Sequence, residues 1–195
     1  MKKVVKFGGS SLASAEQFKK VGNIIRKEES RRYVIPSAPG KRTPDDTKVT
    51  DMLYSCYGQA ILGEDAERDF EEQLEVIKER YNSIIRGLNL DLSLDEEFKT
   101  IRTNFSKKIG RDYAASRGEY LNGIIMAAYL GYEFIDSATV IRFDKNGNFD
   151  ADKTDKLLAK RLQKCERAVI PGFYGGMEDG TVKTFSRGGS DVTGS

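Results

Sequence analysis

The chain opens on a short apolar run, Lys3 to Phe7, that passes directly into Gly8-Gly9-Ser10-Ser11. A run this short, ended by paired glycines, predicts a buried strand followed by a turn. Ser14 then has Gln17 at capping-box spacing, and Phe18, Val21, Ile24 and Ile25 follow at helical intervals. Strand, glycine turn and helix form the opening of a βαβ unit. A chain that begins this way is committed to a parallel sheet with helices laid against it.

The rest of the sequence keeps the alternation. Arg32 to Pro36 reads as a second strand, Ser37 to Lys48 as a loop, and the stretch from Lys48 to Leu62 as a helix. Phe70, Leu74, Ile77, Tyr81, Ile84, Ile85 and Leu88, then Leu94, Phe98, Ile101 and Phe105, mark two amphipathic helices over about 64–108. Their charged outer faces carry no chemical motif, so they read as an αα-hairpin inserted into, or lying against, the sheet domain. Tyr113 to Ala128 gives another helix, ended by Gly131, and Phe134-Ile135 a short strand. Thr139 to Phe143 and Asn148 to Asp150 flank Asn146-Gly147 as a hairpin. Helix Lys153–Lys164, strand Ala168–Ile170 and strand Thr181–Phe185 lead to a second glycine-rich turn, Arg187 to Asp191. The fold class is α/β with a largely parallel sheet, and no linker divides it.

Charge and composition remove several functions. The 32 basic and 30 acidic residues leave a net charge of +2, too balanced to recruit nucleic acid or an anionic membrane. Histidine is absent, which removes Ser-His-Asp triads and histidine metal sites, but phosphoryl transfer needs only Lys, Arg, Asp, magnesium and backbone N–H groups. Cys56 and Cys165 have no C-x-x-C spacing and read as reduced thiols, and no apolar run reaches membrane-spanning length, so a cytoplasmic protein is expected.

Four motifs carry chemistry. Gly8-Gly9 after a strand lets the backbone approach a phosphate, and Lys6 could reach the same anion; a tight connection with a surface lysine reads equally well. Neither a Walker A loop nor a Rossmann G-x-G-x-x-G is present. Arg187-Gly188-Gly189-Ser190-Asp191 repeats the logic, with Arg187 as a fork for carboxylate or phosphate and Asp191 placed to hold Lys6 or organise magnesium; the alternative is a surface ion pair. In Ser116-Arg117-Gly118-Glu119, a glycine inside a helix costs roughly 1 kcal/mol and implies a close backbone approach. Glu119 is then placed to accept an ammonium, or is a solvated glutamate. Ser37 and Thr50 could offer donors to a carboxylate, or be a turn and a cap. Asp144 to Asp155 is no calcium loop, because Phe149 occupies the position where glycine is required.

These motifs, in this order and over essentially the whole chain, resemble the aspartokinases of the amino-acid kinase family. Lys6 to Ser11 matches the family's lysine-glycine opening, Ser116 to Glu119 its serine-x-glycine-glutamate motif, and Pro171 to Gly176 with Phe185 to Asp191 the segment that closes over substrate. The resemblance implies a three-layer αβα sandwich (carbamate kinase-like), incomplete at its C-terminal side. Residues 1–195 would be the N-terminal, substrate-binding part, with the nucleotide-binding part and ACT regulatory domains absent from this chain. It implies transfer of the ATP γ-phosphate to the side-chain carboxylate of L-aspartate, the first step of lysine, threonine and methionine biosynthesis. Lys6 and Asp191 would be catalytic. Lys6, Gly8, Gly9 and Ser10 would hold the ATP phosphates, and Ser37, Thr50, Glu119, Arg187, Gly188, Gly189 and Ser190 the substrate. Magnesium would come with ATP, with no protein metal site, and a homo-oligomer would belong to the full-length protein. The alternatives are a non-catalytic fragment that binds aspartate or an anion, and a related kinase for another acyl acceptor.

Overall fold

A computed structural model describes residues 2–185. Strand β1 (Lys3–Phe7) runs through one 3-10 turn, Gly9–Leu12, into helix α1 (Ala15–Arg26). Ser14 caps that helix, its hydroxyl accepting from the Gln17 N–H at 3.4 Å. Strand β2 (Arg31–Pro36) returns parallel to β1, with Lys6 opposite Ile35 and Phe7 opposite Pro36. Four helices follow: α2 (Val49–Leu62), α3 (Glu67–Gly87), α4 (Asp95–Ser106) and α5 (Arg111–Leu130), the last stopped by left-handed Gly131. The chain continues through β3 (Glu133–Phe134), the single turn α6 (Ser137–Val140), α7 (Ala151–Leu162), β4 (Ala168–Val169), β5 (Tyr174–Gly176) and β6 (Val182–Thr184).

The main sheet has the order β1-β2-β4-β3 with every pairing parallel, and β5-β6 form a separate antiparallel pair. Strand periodicity sorts its side chains between two cores. Val34 and Val169 join Phe18, Ile25, Leu121 and Ile125 on one face. Tyr33, Ile35, Ala168 and Ile170 join Ile135, Val140, Ile141 and Phe143 on the other, with Leu158 and Leu162 of α7 packed against them. Helices therefore cover both faces, and α2, α3 and α4 extend the first core, where Phe105 stacks edge-on to Tyr57 at 5.3 Å. This is the expected α/β arrangement with a largely parallel sheet. No described helix is long and apolar enough to cross a membrane.

Two local expectations fail. Thr139 and Val140 are helical rather than extended, because Asp136 caps the turn and accepts from the Ala138 N–H at 3.0 Å. The Asn146-Gly147 turn does form, with Gly147 at φ +81°, but a lone bridge between Phe143 and Phe149 replaces a full hairpin. Strand β5 is not anticipated, since Tyr174-Gly175-Gly176 carries a turn composition.

Candidate active site

Strands β1 and β2 end side by side, so Gly8–Ser10 and Ser37–Gly40 leave the sheet as neighbouring loops. Carboxyl ends of parallel strands are where such sheets hold ligands. The Ser37 N–H donates to the Phe7 carbonyl at 3.0 Å and the Gly40 N–H to the Gly9 carbonyl at 2.8 Å. A Cβ on Gly9 would meet the Ala38 carbonyl oxygen at 2.8 Å, and one on Gly40 would meet the Gly9 carbonyl carbon at 2.6 Å. Both must be glycine for the loops to touch. Gly8 is different: its φ of −75° suits any residue, and nothing lies within 4 Å of an added Cβ. The close approach expected of Gly8-Gly9 thus belongs, within the protein itself, to Gly9 and Gly40.

Helix α2 begins against the same loop, the Val49 N–H donating to the Pro39 carbonyl at 3.1 Å. Thr50 lies in its first turn, and Lys48 at the N-cap makes no side-chain cap, so the positive helix end is left to the loop and cavity. From α5 come Gly118 and Glu119. A Cβ on Gly118 would stand 2.8 Å from the Ala38 Cβ, which is the close approach its place inside a helix implied. Tyr81 of α3 donates to the Gly118 carbonyl at 2.8 Å, and Asn122 donates to the Ser37 carbonyl at 2.7 Å.

Glu119 is only 6% exposed. The Ala38 N–H donates to its carboxylate, but Oε2 has no hydrogen-bond partner among the described residues. Burial pushes its pKa up to about 7, against the downward pull of the Ala38 N–H and of Arg117. The solvated-glutamate alternative is therefore excluded. Arg117, also buried, lies over the rings of Tyr113, Tyr120 and Tyr174 at 4.5, 4.2 and 5.5 Å, with Ser116 Oγ accepting from its Nε and Nη2 at 3.1 and 3.0 Å. Arg117 has no expected role from its motif, yet Tyr113 and Tyr120, four before and three after it on one helix face, are the signal in the sequence that marks it.

Gly9, Ser10, Ser37, Thr50 and Glu119 line one cavity of about 420 Å³, joined by two unforeseen cations, Lys41 and Lys48. Lys6 and Gly8 are exposed beside it rather than in its wall. Arg187, Gly188, Gly189, Ser190 and Asp191 lie outside the described residues. A larger hollow of about 820 Å³ lies on the other side of the loop, but its Arg42, Asp46 and Arg80 are paired with one another. The smaller cavity is lined by Glu119, whose carboxylate has one oxygen without a hydrogen-bond partner among the described residues, and is the candidate site. One residue nearby is strained: Phe173, after β4, has φ +78°, a region bulky residues rarely enter.

Comparison with known proteins bears on the fold and the family. The chain is 38% identical to aspartokinase 3 of Bacillus subtilis, over 99% of its own length and 45% of that protein's. The crystal structure of Clostridium acetobutylicum aspartate kinase superposes with a TM-score of 0.91 at 49% identity, over 99% of this chain and 44% of that one. Escherichia coli aspartokinase III, in its complex with aspartate and ADP, shares the fold at a TM-score of 0.79 and 22% identity, over 99% of this chain and 45% of that one. The chain thus spans a little under half the length of these relatives. The profile of the amino acid kinase family matches residues 1–195, and the chain belongs to that family.

Proposed function

We propose that the chain is the aspartate-binding part of an ATP-dependent aspartate kinase, which transfers the γ-phosphate of ATP to the side-chain carboxylate of L-aspartate and yields 4-phospho-L-aspartate and ADP. The observation that carries the reading is Glu119, a buried carboxylate that lines the cavity and has one oxygen without a hydrogen-bond partner among the described residues. A free ammonium is the complementary partner for such a group. The start of α2, with Thr50 and Lys48, suits a carboxylate a few ångströms away. An α-amino acid carries both groups, whereas an acetylated amine would leave Glu119 unmatched, which disfavours acetylated acceptors. The likeness to aspartokinases supports aspartate among the amino acids.

On this reading Ser37, Thr50, Ser190, Gly188, Gly189 and Arg187 grip the substrate carboxylates. Lys6, with Gly8, Gly9 and Ser10, neutralises the transferring phosphoryl group, and the open space at Gly8 admits the phosphates. Asp191 orients Lys6. The acceptor oxygen is already ionised, so it attacks phosphorus as the bond to ADP breaks, and no general base is required. Catalysis is positioning and electrostatic stabilisation. Magnesium enters with ATP, and no residue is assigned to it. The protein works in the cytoplasm on two small molecules, with neither nucleic acid nor membrane as partner, and a homo-oligomer belongs to the full-length protein.

The test is acyl-phosphate formation from ATP and magnesium, trapped with hydroxylamine, with L-aspartate, L-glutamate and N-acetylglutamate in parallel. Turnover is expected with aspartate alone, and Lys6→Ala should lower it by about 10²–10³-fold. Activity favouring another acceptor, or a Lys6→Ala variant within threefold of wild type, would defeat the respective assignment. Aspartate binding without turnover would leave a binding fragment.

A further inference from the structure

We propose that Arg80 is a positioning residue that sets the shape of the substrate loop from outside the site. The inference rests on the aspartate reading given above. Arg80 projects from α3 with 3% of its side chain exposed and takes no part in the cavity wall. Its Nη1 donates to Asp46 Oδ2 and its Nη2 to the Gly40 carbonyl, both at 2.7 Å. Asp46 is held in turn by Arg42, whose Nε and Nη2 donate at 2.8 and 3.0 Å and whose backbone N–H donates at 2.8 Å. The loop from Gly40 to Asp46 is thereby closed on itself and tied to α3 at both ends.

Gly40 is the point where this grip reaches the site. Its carbonyl takes the Arg80 donor and its N–H reaches Gly9 of the first glycine turn. Two residues back, the Ala38 N–H meets the Glu119 carboxylate. Arg80 is therefore one residue from the proposed phosphate turn and three from the group proposed to hold the substrate ammonium, without touching either ligand.

Arginine suits the task because a planar fork can hold two acceptors in fixed relative positions, whereas lysine offers a single charge. Stability alone gives a weak reason to bury it. A buried ion pair often adds little over an apolar replacement, and Arg80 Nε has no hydrogen-bond partner among the described residues. Fixed geometry is the property an apolar residue would not supply.

The experiment compares wild type, Arg80→Met and Arg80→Lys in the 195-residue chain by thermal unfolding, calorimetry with L-aspartate, and hydrogen exchange at the Ala38 and Gly40 amides. Arg80→Lys keeps a charge for Asp46 and stands in if Arg80→Met does not fold. Both folded variants are expected to exchange Gly40 about tenfold faster or more and to bind aspartate about tenfold more weakly or worse, since small displacements of positioning groups have effects of this size or larger. A folded variant with wild-type exchange at Gly40, or with aspartate affinity within twofold of wild type, would overturn the proposal; so would full rescue by lysine. If wild type binds no aspartate, the aspartate reading fails on its own, and the exchange comparison still decides whether Arg80 fixes the loop.

Discussion

Glu119 holds a carboxylate where water cannot reach one of its oxygens, and that arrangement is unfavourable whenever the group is charged. Its pKa in the folded chain, about 7, stands above the ordinary 4.5. Between those values the folded state keeps a proton that the unfolded state has lost. Stability therefore falls as pH rises through this window and levels off above about 7. The full shift is worth up to about 3 kcal/mol. Glu119→Gln keeps an acceptor for the Ala38 N–H and never charges. It is expected to match wild type near pH 4.5 and to be more stable at pH 8, by up to about 3 kcal/mol in urea unfolding. Aspartate binding should fall sharply in the same variant, because the ammonium loses its counter-charge. A pH slope unchanged by the substitution would mean that another group is responsible. The Ala38 N–H is the main counterweight, and the Arg117 guanidinium, held among three tyrosine rings, adds a smaller downward pull on the Glu119 pKa.

Among the elements, the contact of the first glycine turn with the β2–α2 loop decides whether a site forms at all. In Gly40→Ala the new methyl would stand 2.6 Å from the Gly9 carbonyl carbon and 2.8 Å from the Ser10 nitrogen, and backbone cannot rotate aside. The loops must part, at a cost of about 1–3 kcal/mol in thermal unfolding. Gly8→Ala meets nothing within 4 Å and should leave stability within about 0.5 kcal/mol. If phosphate approaches there, trapped acyl phosphate falls in Gly8→Ala while the melt does not move, and an unaffected turnover would exclude that approach. The sequence made the strand, the paired glycines and the helix legible because all three are local. It could not reveal that Gly9 faces Gly40, since the partner lies on the loop of the neighbouring strand, far away along the chain. Arg80 was invisible for a related reason: on a charge-rich helix, nothing local separates a buried arginine from its exposed neighbours. Strand β5 hid behind its glycines, and α6 formed because Asp136 offered a cap where β-branched residues suggested extension. Glu119 was legible through the glycine before it, whose close approach fixes which way that turn of α5 faces.

For the molecule as a whole, position in the sheet decides what a residue is worth. Among the described residues β1 pairs only with β2, and its outward face is uncovered, with Val4 49% exposed. Val34, on the next strand, is 0% exposed between β1 and β4 and packs into the larger core. The same side chain one strand apart should therefore differ in energetic weight. Val34→Ala is expected to cost about 2 kcal/mol, from lost burial and the small cavity left behind. Val4→Ala should stay within about 0.5 kcal/mol. The ion pairs on the helical layer, such as Lys78 with Asp95 and Arg102 with Glu71, belong with Val4, because partly exposed pairs contribute little. Urea unfolding at constant m separates the cases, since a lower midpoint with unchanged m reports stability alone. Equal costs at Val4 and Val34 would mean that the open face of β1 is covered in solution. A midpoint that rises with protein concentration would then identify a second copy of the chain as the cover, and one that does not would exclude it.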